Sequence, residues 1–127
     1  MARLKATRPV FFDLTKIQMP VGAVTSITHR VTGMLLVIGT PFCIYLLDMS
    51  LQGPPGYLQV MTLLDEMPVK GLLIVLAWAL AHHLLAGVRH LLSDIDIGSQ
   101  LPAARRSAWV VNVGGVAVAL VAAGLLL

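Results

Sequence analysis

Three long apolar stretches, near residues 33–47, 69–85 and 108–127, constrain the fold of this chain more than any other feature. With its flanking residues, each stretch reaches the roughly 20 residues that a helix needs to cross a hydrocarbon core. Only 12% of the 127 residues are charged, and the mean hydropathy is +0.87. Soluble domains carry about 25% charged residues. The sequence therefore predicts an all-α integral membrane protein with three transmembrane helices.

These stretches form a single membrane domain that occupies the whole chain, 1–127. We expect an N-terminal arm at residues 1–20 and transmembrane helices at about 22–48, 68–92 and 107–127. The first connector contains the turn signal Gly53–Gly56 and no pattern that indicates chemistry. The third span contains no ionisable residue, so we assign it to packing and lipid contact.

Basic residues determine the expected orientation. Five of the nine lysines and arginines precede the first apolar stretch, and the connector 49–67 has none. By the positive-inside rule the N-terminus is cytoplasmic, in a bacterial cytoplasmic (inner) membrane. A mitochondrial inner-membrane protein fits less well, because Pro9 and Asp13 interrupt any amphipathic transit pattern. We also expect no cleaved signal peptide, since no apolar segment occurs early enough.

The basic residues sit at the membrane ends, so the net charge of +3 does not indicate nucleic-acid binding. Cys43 is the only cysteine, which excludes an intrachain disulfide and a cysteine-rich metal site. The chemistry of this chain therefore has to come from other residue types.

The second apolar stretch ends in a polar segment, His82–Asp94, that contains three of the four histidines. Ionisable residues in such a position are costly to bury and usually have a function. At 100° per residue, one helix face carries four of its residues, and these are His83, Gly87, His90 and Asp94. His82 and Arg89 share a different face, about 100° away or more.

This pattern fits a haem site, because haem iron takes a neutral imidazole as an axial ligand. A flat macrocycle also needs small residues beside it, and the candidates are Ala79, Ala86 and Gly87. The haem propionates need cations, and the candidates are His29, Arg30, Arg89 and His90. The alternative is that the small residues pack helices together while the histidines form hydrogen bonds between helices. The residues alone leave both interpretations open.

A second polar face lies at the start of the first span, where four residues share one side of the predicted helix, namely Ser26, His29, Arg30 and Gly33. Here Arg30 either belongs to a site or extends to lipid headgroups while His29 lies at the interface.

Two motifs occur in order along the chain: Ser26-x-x-His29-Arg30-x-Thr32-Gly33, and His83-x-x-x-Gly87-x-Arg89-His90. Together with Arg8-Pro9, Asp94 and the three spans, they resemble the cytochrome b556 membrane-anchor subunits of succinate dehydrogenase, respiratory complex II. The resemblance extends over essentially the whole chain.

The resemblance implies a subunit that has no catalytic activity alone. Such a subunit, together with a second hydrophobic anchor subunit, binds an iron–sulfur subunit and a flavoprotein subunit and attaches them to the lipid membrane. FAD and the iron–sulfur clusters lie in those partners and carry electrons from succinate to ubiquinone. Haem b lies between the two anchors, and the family's ligand position matches His83. The adjacent His82 makes that match less automatic, but the helical wheel favours His83.

The family's quinone-binding positions match Ser26 and Arg30. His29 matches a residue near the haem propionates, and Arg89 and His90 are weaker candidates for that role. Asp94 either delivers protons to the quinone or is only a charge at a helix end. Two alternatives remain for the whole chain: a non-redox membrane scaffold, or the anchor of a fumarate reductase that works with a different quinone.

Overall fold

A computed structural model describes residues 18–127, which form four α-helices and no β-strand. The helices are α1 (Val21–Leu51), α2 (Pro54–Asp65), α3 (Met67–Asp94) and α4 (Leu101–Leu126). α1, α3 and α4 are long enough to cross a membrane, with mean hydropathies of 1.8, 1.9 and 2.1. The prediction of an all-α membrane protein with three spanning helices is confirmed. Most of the predicted arm, residues 1–17, lies outside the described residues.

α2 is a 12-residue helix in the first connector, where the sequence predicts only a turn. Gly53 makes that turn, with a left-handed φ of 107°, and α2 begins directly after it at Pro54. A proline in the first turn costs no hydrogen bond, so the pair of prolines starts the helix rather than preventing it. Val60 then packs against Leu46 and Met49 at the end of α1. The packing, which no local pattern indicates, stabilises α2.

The spanning helices are also longer than predicted. α4 begins at Leu101 rather than near 107, while α1 and α3 continue to Leu51 and Asp94 rather than ending near 48 and 92. The prediction followed hydropathy, which falls where the chain leaves the apolar layer. Backbone hydrogen bonding does not stop at that boundary, so the helices extend into the polar zone.

α3 packs against both α1 and α4, which also contact each other. Ala79 and Ala86 of α3 are completely buried in this three-helix bundle, which supports the helix-packing interpretation for these two small residues. At most 22% of the most apolar window of any spanning helix is buried. Most of the apolar surface is therefore open to lipid or to other subunits.

Candidate functional site

Three histidines from two helices meet near the N-terminal end of α1 and the C-terminal end of α3. The His29 ring stacks on the His83 ring, with centroids 4.1 Å apart and an interplanar angle of 13°. The His90 ring is tilted against His29 at a centroid distance of 5.2 Å. We call His29, His83 and His90 the histidine cluster. The helical wheel correctly placed His83 and His90 on one face of α3.

A hydrogen bond determines which ring nitrogen of His83 carries the proton. Its Nδ1 lies 3.0 Å from the backbone carbonyl oxygen of His29. A carbonyl oxygen only accepts, so Nδ1 carries the proton and donates it. Thr32 supports the same position, because its hydroxyl donates to the His29 carbonyl at 2.9 Å and lies 3.3 Å from His83 Nδ1. The Nε2 lone pair of His83 is thereby left available, as a metal ligand requires.

Of the two glycines beside the histidine cluster, Gly33 makes room for it and Gly87 does not need to. A Cβ at Gly33 would lie 3.0 Å from Cε1 of His83, which is closer than most Cβ contacts. A Cβ at Gly87 would lie 3.6 Å from Nε2 of His29, an ordinary contact. Gly33 therefore allows the His83 ring to lie directly against α1.

His82 points into the other interface of α3. Its ring is 1% exposed, and its Nε2 donates to Oδ1 of Asn112 in α4 at 3.0 Å. Asn112 Oδ1 also lies 3.2 Å from the hydroxyl of Thr25 in α1. The separation of His82 from His83 that the wheel predicted is confirmed.

The assignment of the third span to packing and lipid contact alone is wrong, because Asn112 in this span forms polar contacts with both other spanning helices. The prediction rested on the absence of ionisable residues from this span, and asparagine is polar without being ionisable. A polar side chain in an apolar helix normally needs a partner, and that signal would have identified Asn112.

Arg89 also reaches α4, as expected for a residue on the His82 side of the helix. Its Nε donates to the Ser107 hydroxyl at 3.0 Å and its Nη2 donates to the Ala104 carbonyl at 3.3 Å. Asp94 is exposed at the last position of α3. The structure therefore directs Arg89 away from the histidine cluster, and its role toward a propionate stays a prediction.

The two predicted quinone residues lie one turn apart on α1, close to His29 in the chain. Ser26 is partly buried, whereas Arg30 is exposed. Within residues 18–127, no group of three or more histidine, cysteine or acidic side chains is arranged to hold a metal ion. Among the described residues, the histidine cluster is therefore not a complete ion site.

Fold and site define a class: all-α membrane proteins with a histidine cluster between two spanning helices. The family model described as succinate dehydrogenase/fumarate reductase transmembrane subunit matches residues 5–123. The chain belongs to this family, which confirms the resemblance predicted from the two motifs.

Relatives carry the name succinate dehydrogenase cytochrome b556 subunit. The protein from Coxiella burnetii is 34% identical over 111 residues, which cover 87% of this chain and 89% of the relative. The protein from Paracoccus denitrificans is 30% identical over 116 residues, covering 91% and 89%. The protein from Rickettsia conorii is 30% identical over 109 residues, covering 86% and 85%. The similarity therefore extends over nearly the full length of both chains.

Proposed function

We propose that this chain is a membrane-anchor subunit of a succinate:ubiquinone oxidoreductase. In this proposal it binds haem b together with a second anchor subunit and contributes to the ubiquinone-reduction site. The observation that carries it is the hydrogen bond from His83 Nδ1 to the His29 carbonyl. This bond fixes the ring orientation and leaves Nε2 free, as a hydrogen bond from the other ring nitrogen does in metal-bound histidines.

The residues present fit a b haem, which when bound supplies a one-electron carrier. His83 would ligate the iron through Nε2. Its ring is only partly buried, so a group held by a second subunit can reach it. His29, Arg30 and His90 would hold the propionates near the membrane edge. The partner anchor would supply a further ligand to the haem iron.

The quinone site would use Ser26 and Arg30. The Ser26 hydroxyl can donate a hydrogen bond to one quinone oxygen. The Arg30 guanidinium, which stays charged at any physiological pH, can stabilise the negative charge that develops on this oxygen during reduction. Asp94 either passes protons to that oxygen or serves as a helix-end charge, and a pH profile of the Asp94→Asn variant separates the two.

The relatives' names place them in succinate dehydrogenase, so we infer the same kind of partners here. The second anchor would cover the open face beside the histidine cluster, where Met34 and Leu84 are 61% and 62% exposed. An apolar groove of about 400 Å³ continues along α1 and α3 past Leu36 and Leu80. The iron–sulfur and flavoprotein subunits, with their clusters and FAD, would bind at the cytoplasmic side of a bacterial inner membrane, where the N-terminus would also lie.

The haem assignment is tested on the complex co-purified with its partner subunits. We expect a reduced b-type α-band in the wild type and its loss in the His83→Ala variant. Val88→Ala changes an exposed position of α3 outside the histidine cluster and should keep the band. A full band in His83→Ala would disprove the ligand assignment. A wild-type complex without haem would favour the non-redox scaffold.

The quinone assignment is tested by comparing two electron acceptors. Ser26→Ala and Arg30→Leu should reduce succinate-dependent quinone reduction, by about 10-fold or more where a transition-state donor is lost. Succinate oxidation by a soluble artificial acceptor should persist. Arg106→Leu removes an exposed cation elsewhere and should leave both activities intact. Equal loss of both activities in the α1 variants would indicate failed assembly and contradict a direct role.

A further inference from the structure

His82 is a buried histidine with no role in the site described above. Its ring is 1% exposed, and within the described part of the chain its Nδ1 has no hydrogen-bond partner. The Nε2 proton is donated to Asn112 Oδ1. His82 and His83 therefore hold their protons on different ring nitrogens, although they are adjacent in the chain.

The bond to Asn112 belongs to a junction that joins all three spanning helices. Asn112 Oδ1 lies 3.0 Å from His82 Nε2 of α3 and 3.2 Å from Thr25 Oγ1 of α1. Thr25 is completely buried, and its hydroxyl also lies 2.9 Å from the Val21 carbonyl. The single side-chain oxygen of Asn112 thus defines the position of His82 relative to both neighbouring helices.

The backbones of α3 and α4 approach closely beside this junction. A Cβ at Gly115 would lie 3.1 Å from the His82 Cβ and 3.4 Å from the Trp78 ring. A Cβ at Gly114 would lie 3.0 Å from a Leu85 methyl group. The His82 side of α3 is therefore held at short range against α4.

We propose that His82 and Asn112 are positioning residues for His83, an inference that rests on the proposed haem role of His83. Consecutive residues of a helix point about 100° apart, so the rotation of α3 that places His82 against Asn112 also directs His83 toward α1. Apolar packing alone specifies this rotation poorly in a bilayer, because lipid tails are as apolar as leucine. The polar junction specifies the rotation of α3. In this rotation His83 Nδ1 lies within hydrogen-bond distance of the His29 carbonyl oxygen.

The test uses the complete complex with two variants that remove the hydrogen bond but keep a similar side-chain shape, His82→Phe and Asn112→Leu. His82→Gln is the conservative variant, because its amide can still donate to Asn112. Val88→Ala on α3 and Val113→Leu on α4 change exposed residues and serve as controls. The readouts are haem per complex, the g-values of the ferric haem in electron paramagnetic resonance, and the melting temperature.

We expect His82→Phe and Asn112→Leu to lose haem during purification by about 10-fold or more, the range found when the groups that orient a metal ligand are removed. The remaining haem should show shifted g-values, and His82→Gln should restore both readouts toward the wild type. Unchanged haem content and g-values in His82→Phe and Asn112→Leu would overturn the positioning role. So would haem loss that only follows a loss of folded complex and is not rescued by His82→Gln.

A wild-type complex without haem would overturn the proposed function and the positioning role together. A loaded wild type with unaffected variants would overturn the positioning role alone. The two failures are therefore distinguishable in one set of preparations.

Discussion

α3 meets α4 through His82, whose ring is enclosed, and meets α1 through His83, whose ring is partly open. His82 donates through Nε2 to a side-chain oxygen, and His83 donates through Nδ1 to a backbone carbonyl. The first arrangement leaves a buried Nδ1 that no group outside the bundle can reach. The second leaves Nε2 free on the side open to another subunit. The protonated nitrogen and the burial of the ring, rather than residue type, separate a packing histidine from a candidate ligand.

The largest expected effect is on the α3–α4 interface, through Gly115→Val. Its Cβ would lie 3.1 Å from the His82 Cβ, an atom that cannot move without its helix. Overpacking of this kind costs about 1–3 kcal/mol, measured as a lower melting temperature of the detergent-purified complex. Gly124→Val on the same helix has no atom within 4 Å of its new Cβ and is the matched control. Equal melting temperatures of the two variants would contradict the close approach.

Asn112→Leu should have the next largest effect, because it removes the hydrogen bond to His82 and keeps a similarly branched side chain. Hydrogen bonds between membrane helices contribute about 0.6–2 kcal/mol. Chemical unfolding should show a loss in that range for Asn112→Leu and little change for Val113→Leu. The double variant with His82→Phe should be no less stable than either single variant, since all three lack the same bond. Additive losses would show that the two residues are not coupled.

Gly33→Ala tests the α1–α3 interface and should change the site more than the stability. The new Cβ would lie 3.0 Å from Cε1 of His83, so the ring must move by a few tenths of an ångström. We expect a shifted haem spectrum with a stability change below about 1 kcal/mol, because alanine also favours the helix. Gly71→Ala in α3 meets no atom within 4 Å and should leave the spectrum unchanged. An unaltered spectrum in Gly33→Ala would place His83 elsewhere.

The smallest effect concerns an ion pair remote from both interfaces. Lys70 Nζ lies 2.7 Å from the Asp65 carboxylate, and this hydrogen bond holds the pKa of Asp65 below its ordinary value of 3.8. The pair therefore stabilises the fold at pH values above 3.8, and this contribution is lost as the pH falls through the lowered pKa. Asp65→Asn should slightly lower the melting temperature at neutral pH and not in strong acid, with the haem spectrum unchanged. A difference that grew in acid would contradict the ion pair.

Hydropathy and helical period were enough to predict the three spans and the two faces of α3. A long stretch without charged residues identifies a membrane-spanning helix, because lipid cannot form hydrogen bonds with backbone groups that lie outside regular secondary structure. The 3.6-residue period separates His82 from His83 because it is a property of one helix alone. The two motifs at the ends of α1 and α3 were enough to predict the family.

The partners of each side chain were decided only by the tertiary structure. Asn112 and Ser107 lie on α4, and no local pattern states that one meets His82 and the other meets Arg89. The tertiary structure also decides that His29 stacks on His83 and that α2 packs on α1. A helix's own sequence sets which residues share a face. The depth and rotation at which two helices pack depend on both surfaces at once, so the contacts between them appear only when the bundle is assembled.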